Sequence, residues 1–237
     1  MDAPERIVPD ATEPGIVALH LKRYELAREH CRDRDVLDAG CGVGYGSAYL
    51  GEVARSVVGI DIDEEAIAYA TRRYGGQNVA FRVGDMERLD LPDASLDVVT
   101  AFETIEHLRA PERFVSEAGR VLRTGGVLVA STPQATADGG EPANPYHEHE
   151  YTAAELERLL AGTFASVELF GQRRVQSRRH RALQRVDVLG LRRRLPFLRG
   201  VGRVVTGTPS MADLTSADVE IAPELDGATE LVALCRR

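Results

Sequence analysis

The stretch that most constrains this chain is Val36-Leu37-Asp38-Ala39-Gly40-Cys41-Gly42-Val43-Gly44-Tyr45-Gly46. It reads as a buried strand, a tight glycine turn and the start of a helix. Gly40, Gly42 and Gly44 carry no side chain, so a ligand could press against bare backbone there. The next apolar run, Ser56-Val57-Val58-Gly59-Ile60, ends at the carboxylate of Asp61. That spacing suits an acidic group gripping a ribose diol across the top of a parallel sheet.

The loop is not a dinucleotide fingerprint, Gly-x-Gly-x-x-Gly, because it runs Asp-x-Gly-x-Gly-x-Gly with Asp38 in the lead. A carboxylate beside the turn would repel a pyrophosphate and would suit a ligand carrying an ammonium group. On these residues the chain resembles the class I S-adenosylmethionine (SAM)-dependent methyltransferases from about Asp35 to Gly171. Gly59-Ile60-Asp61, Val83-Gly84-Asp85-Met86 and Leu96–Phe102 extend the match in the right order. The resemblance implies that Asp61 holds the ribose hydroxyls, that Asp85 accepts from the adenine amino group, and that the Met86 N–H meets an adenine nitrogen. It implies a wider SAM shell of Asp38, Gly40, Cys41, Gly42, Gly44, Tyr45, Ile62, Phe102 and His20.

Strand and helix signals alternate through the middle of the chain. Val36–Ala39, Val57–Ile60, Val79–Val83, Leu96–Phe102, Val127–Ser131, Ala165–Leu169 and Leu231–Cys235 read as strands. Gly46–Val53, Glu64–Tyr74, Pro111–Leu122 and Ala153–Leu160 read as the helices between them. The expected fold is α/β, a doubly wound, Rossmann-like, seven-stranded and mostly parallel sheet. With 237 residues, one domain is expected. Its parts are an N-terminal helical cap (1–34), a SAM-binding core (35–171), a helical insertion (172–226) and the last strand (227–237).

Formal net charge is -8, so bulk attraction to nucleic acid is not expected. No basic start leads into an early apolar core, and no run is long enough to span a bilayer, so a cytoplasmic location is expected. Cys31, Cys41 and Cys235 lie too far apart for a metal-type cluster and fit a reducing compartment.

Two segments fall outside the alternating pattern. Ile16–His30 has helical spacing, with His20, Arg23 and Tyr24 on one face, either closing over the SAM tail or solvated. Arg173–Arg203 is dense in arginine, opposed only by Asp187, with valines and leucines at helical spacing. It reads as a surface or homodimer-forming helical insertion, in preference to a cradle for an anionic acceptor.

The chemistry is expected just after the fourth strand, at Glu103-Thr104-Ile105-Glu106-His107. One turn can bring Glu103, Glu106 and His107 together, and His147 or His149 of the next crossover loop opens on the same sheet edge. Carboxylates with an imidazole suit a divalent ion such as Mg2+. The expected metal set is Glu103, Glu106, His107 and His147, and the expected catalytic groups are His107, His147 and Glu106. A metal-free site, with a histidine as general base, stays open beside this.

The Glu-x-x-Glu-His motif resembles that of small-RNA terminal 2′-O-methyltransferases and of the ubiquinone-pathway O-methyltransferases. Pro4–Asp10, Cys41–Gly46, Ser131-Thr132-Pro133, Asn144–His147 and Leu214–Glu220 are similar to actinobacterial sugar O-methyltransferases, including those that cap methylmannose polysaccharide precursors. That resemblance implies methyl transfer to a hydroxyl of a sugar or glycoside, a small-molecule or oligosaccharide acceptor. The alternative is a metal-independent small-molecule O- or N-methyltransferase.

Overall fold

The computed structural model describes residues 7–135, 142, 144–175 and 211–237. In chain order the elements are α1 (Pro14–Cys31), β1 (Asp35–Ala39), α2 (Tyr45–Gly51), β2 (Ser56–Asp61), α3 (Glu64–Tyr74), β3 (Val79–Val83) and β4 (Leu96–Phe102). Then follow α4 (Pro111–Val121), β5 (Leu122–Pro133), α5 (Ala153–Ala161), β6 (Ser166–Arg174), β7 (Val219–Ala222) and β8 (Glu230–Arg236). Local chemistry sets several of these ends. Asp63 caps α3 by accepting from the N–H groups of Glu65 and Ala66, Pro111 opens α4, and Thr152 with Glu155 forms a capping box on α5.

The strands make one sheet in the order β3-β2-β1-β4-β5-β8-β6-β7. β3, β2, β1, β4 and β5 pair in parallel, and β8 runs antiparallel between β5 and β6. Among the described residues the sheet has eight strands, against the seven expected. β6 continues to Arg174, and β7 pairs with it antiparallel through Arg173↔Glu220 and Arg174↔Val219. The last residues of β6, Gln172–Arg174, and all of β7 lie in the 172–226 segment expected to be helical. The reason is cross-strand charge pairing: Arg173 reaches Glu220 at 3.8 Å and Glu224 at 3.3 Å, so its charge sits on a strand. The rest of the arginine-rich insertion, residues 176–210, lies outside the described residues. β5 begins at Leu122, before Gly125-Gly126, because the register with β4 jumps from Leu96↔Leu122 to Val98↔Val127 and leaves a bulge between.

Alternate strand residues face opposite layers. Leu37, Val99, Leu128 and Leu231 meet Phe114, Ala118, Leu156 and Leu160 of α4 and α5. Val36, Val98, Val129 and Val232 meet Tyr24, Ala27 and Leu50 of α1 and α2. Phe114 is fully buried, and its truncation to alanine would cost about 3–5 kcal/mol. The outer face of α1 is covered in turn by Leu214, Val219 and Met211, which pack on Ala18 and Leu19. Among the described residues no helix is long and apolar enough to cross a membrane.

Candidate active site

Strand order reverses between β1 and β4, so the crossovers after these strands leave in opposite directions and open a crevice at their carboxyl ends. A cavity of about 860 Å³ lies there. It is within the range of ligand pockets, roughly 300–1,000 Å³. One wall is the stripe Ile16, His20 and Tyr24 of α1. The floor is Gly40–Val43, Tyr45, Asp61 and Phe102. The far wall is Glu103, Thr104, Glu106, His107, Pro133, Asn144, Tyr146 and His147.

The glycine turn is built by backbone bonds. The N–H groups of Gly40 and Cys41 both donate to Ile60 O, at 2.8 and 2.9 Å. Gly42 N–H donates to Asp61 Oδ2 at 2.8 Å and Asp63 N–H to Asp61 Oδ1 at 3.0 Å, which orients the Asp61 carboxylate at the cavity edge. The three glycines differ in what they make room for. A Cβ on Gly40 would strike the Thr104 methyl, and one on Gly44 would meet Phe81 and Ala70 at 2.6 and 2.7 Å. A Cβ on Gly42 would meet nothing within 4 Å. Only Gly42 opens on empty space.

Asp38 lies beneath this turn rather than on the cavity surface, 1% exposed. Its oxygens accept from Ser47 Oγ at 2.6 Å, Thr100 Oγ1 at 2.8 Å and Tyr24 Oη at 3.3 Å. Burial pushes its carboxyl up to about 6, against the pull of those three hydroxyls. Asp38 therefore ties α1, α2 and β4 together, and of these partners Tyr24 also lines the cavity. Cys41 lines the cavity, but burial, then Asp38, raises its thiol far above the nucleophilic range. His20 lines the cavity, and burial, then Arg23, pushes its pKa well below the usual histidine range. Of the other residues expected around SAM, Tyr45, Phe102 and Asp61 line the cavity. Met86 is in the core, while Asp85 and Ile62 are exposed outside the cavity lining.

The far wall joins two crossover loops. Glu106 O accepts the N–H groups of Glu148 and His149, at 2.8 and 3.2 Å, so the 144–150 loop is bonded directly to the turn after β4. His107 and His147 meet edge to face with ring centroids 5.0 Å apart. Ligating atoms of Glu106, His107 and His147 all lie within 4.8 Å of one another. His107 Nδ1 bonds the Tyr146 carbonyl at 2.9 Å, which in the neutral ring leaves the lone pair on Nε2. His147 is held through Nε2 by Asn144 and through Nδ1 by Glu150, each at 3.0 Å. Glu106 is buried, accepts from Thr132 Oγ1 at 3.0 Å, and has its carboxyl raised well above the usual range by burial and then by Glu103.

Glu103 is outside this group. Its carboxylate takes Arg23 at 2.9 Å and Ser131 Oγ at 2.8 Å. His149 is likewise elsewhere, packed on Tyr151 at 4.5 Å. Arg23 and Tyr24 are both buried, which excludes the solvated reading of that helix face for these two. What the sequence does not signal for Arg23 is its partners: nothing in a lone helical arginine points to groups more than a hundred positions away.

A family model described as a methyltransferase domain matches residues 37–130, the segment that carries the glycine turn, Asp61 and β4. The chain carries a class I methyltransferase domain. A probable S-adenosylmethionine-dependent methyltransferase of Mycolicibacterium smegmatis is 45% identical over 168 residues, covering 69% of this chain and 65% of that protein. One of Mycobacterium tuberculosis is 42% identical over 172 residues, covering 70% of this chain and 62% of that protein. The matched stretch thus spans less than two thirds of either relative. A Thermotoga maritima structure described as a possible histamine N-methyltransferase has a TM-score of 0.65 at 16% identity, covering 94% of this chain and 91% of its own. At that identity the likeness concerns the fold: the methyltransferase domain and its flanking elements share its α/β architecture.

Proposed function

We propose that the chain is a SAM-dependent O-methyltransferase acting on a hydroxyl of a sugar or glycoside, with a divalent ion held by Glu106, His107 and His147. The observation that carries this reading is the convergence of those three side chains, from two separate loops, on the cavity that the open Gly42 and Asp61 also face. One carboxylate and two imidazoles form a donor set that suits ions such as manganese, iron or cobalt better than the Mg2+ anticipated from two glutamates. His147 would exchange Asn144 or Glu150 for the ion.

Such an ion supplies positive charge that lowers the pKa of an adjacent hydroxyl. The chain's own residues do the rest. Gly42 and Asp61 present the floor against which the methyl donor lies. The acceptor oxygen takes the methyl carbon from the sulfonium in line, the C–S pair returns to sulfur, and the hydroxyl proton is released to solvent. His107 would give the ion its Nε2 lone pair, since its Nδ1 is bonded to Tyr146 O.

The same bond favours one second reading, a metal-free base mechanism at His107. Methyl transfer from labelled SAM to glycosides, measured after exhaustive chelation and again after adding Mn2+, separates the two. Activity that chelation abolishes and Mn2+ restores is expected. Full activity in the chelated enzyme would remove the ion from the reading, and no transfer to any hydroxyl would remove the O-methyltransferase itself.

A further inference from the structure

The cavity has an unequal lining. One side is polar, with buried Glu106, half-buried His147 and exposed His107, whereas its wall also carries Ile16 at 37% exposure and Tyr146 at 57%, together with Ile7 and Pro133. Large apolar surface left in water at a pocket ordinarily marks what the pocket receives. Tyr146 is also held in place. Its N–H donates to Asn144 Oδ1 at 3.1 Å and its carbonyl accepts from His107 Nδ1 at 2.9 Å. The next residue, His147, donates its N–H to Asn144 O at 3.1 Å and bonds the Asn144 amide through its ring at 3.0 Å. The backbone that carries the exposed ring is therefore bonded into the same short frame as the two imidazoles.

We propose that the Tyr146 ring is the platform on which the acceptor lies, and that the acceptor is a pyranoside whose C–H face covers the ring while a hydroxyl edge turns toward His107 and His147. This rests on the reading of the site as a glycoside O-methyltransferase and names the residue that selects the acceptor. A pyranoside has the two surfaces the site offers: an apolar face that an aromatic ring can cover, and an edge of hydroxyls for carboxylate and imidazole groups. Tyr146 acts in acceptor binding and takes no part in moving the methyl group or the proton.

The chain has no tryptophan, so Tyr146→Trp places a single reporter on the proposed platform. Its emission is followed while methyl α-glucoside, methyl α-mannoside and, separately, catechol are titrated in the presence of S-adenosylhomocysteine. A saturable change with a glycoside is expected. No change with either glycoside overturns the proposal, and a change with catechol alone replaces the pyranoside by a planar aromatic acceptor. In turnover, Tyr146→Ala keeps the backbone groups that hold His107 and Asn144, so only the ring is lost. KM for the glycoside should rise about tenfold, with kcat and the KM for SAM within about threefold of wild type. Tyr146→Phe should restore the glycoside KM. A loss in kcat at unchanged KM would overturn the platform role. If the wild-type protein methylates no glycoside at all, the functional reading fails by itself, while the emission titration still decides whether the ring receives a sugar.

Discussion

The Arg23 guanidinium, on the helix that precedes the sheet, stands 2.9 Å from the Glu103 carboxylate at the end of β4, with side-chain exposures of 2% and 20%. The same guanidinium bonds Gln172 Oε1 on β6 at 3.1 Å and Ser131 Oγ on β5 at 3.3 Å. One buried cation thus joins α1 to three separate strands of the sheet or their ends. Under the proposed metal reading it also sets the two glutamates apart, because Arg23 and Ser131 both contact Glu103 Oε1 while Glu106 lies beside the two histidines.

Binding of Mn2+ should reflect that division. Glu103→Gln should leave the affinity within about threefold, whereas Glu106→Gln should weaken it by about a hundredfold, since it removes the only carboxylate of the set. Calorimetric titration of Mn2+ into each purified variant reads this directly. Equal losses in the two variants would return Glu103 to the ligand group.

Removing Arg23 should be costly for a different reason. Arg23→Met leaves Glu103 without its counter-ion in a nearly closed site, and leaves Gln172 without a donor, at about 3 kcal/mol. Urea denaturation measures the loss. Adding Glu103→Gln to Arg23→Met should recover part of it, because the stranded charge disappears. A double variant as unstable as the sum of the singles would show that the two residues act independently.

The parts of this molecule that were legible in the sequence are those whose physics is local. β1 to β4 are apolar runs bounded by turn residues, and Asp63 and Pro111 announce the helices that follow them. The joining of His107 and His147 was legible too, because both follow strands of a parallel sheet and so open on one edge. Three features were not. β7 is a short charged strand whose partner, Arg173, lies in a run of arginines that reads as helix. The enclosure of Asp38 depends on Tyr24, Ser47 and Thr100 arriving from three elements. The Arg23 network spans 149 positions to Gln172. Packing decides each of these, and one-dimensional spacing carries little of it.

Asp38 makes a prediction for acid stability. Its carboxyl is raised from the ordinary 3.8 to about 6, chiefly by burial. A raised acid holds its proton more tightly in the fold than in the unfolded chain. Between about pH 4 and 6 the native state therefore binds the extra proton, so this group's contribution to stability falls as pH rises through that window and is level above it. Two units correspond to about 3 kcal/mol at most. The difference in unfolding free energy between wild type and Asp38→Asn, from urea denaturation at pH 4, 5, 6 and 7, should shrink by up to that amount as pH rises, in favour of the amide. A difference that stays constant across this range would mean that Asp38 does not titrate there.

The three glycines of the turn should separate folding from binding. Gly44 has φ +83, and its missing Cβ makes room for Phe81 and Ala70, so Gly44→Ala combines left-handed strain with overpacking, about 2–4 kcal/mol together. Gly40, at φ +71, should behave alike because Thr104 fills its space. Gly42 has φ +54 with open space around it, so Gly42→Ala carries only the backbone strain, about 1 kcal/mol. Its new methyl group would stand where the methyl donor is expected to lie. Thermal melts should rank Gly42→Ala as the mildest of the three. Calorimetry with S-adenosylhomocysteine should nevertheless show its affinity down by about tenfold, or about 1.4 kcal/mol. Wild-type affinity in Gly42→Ala would mean that the donor lies elsewhere in the cavity, and the assignment of the glycine turn as its seat would then fall.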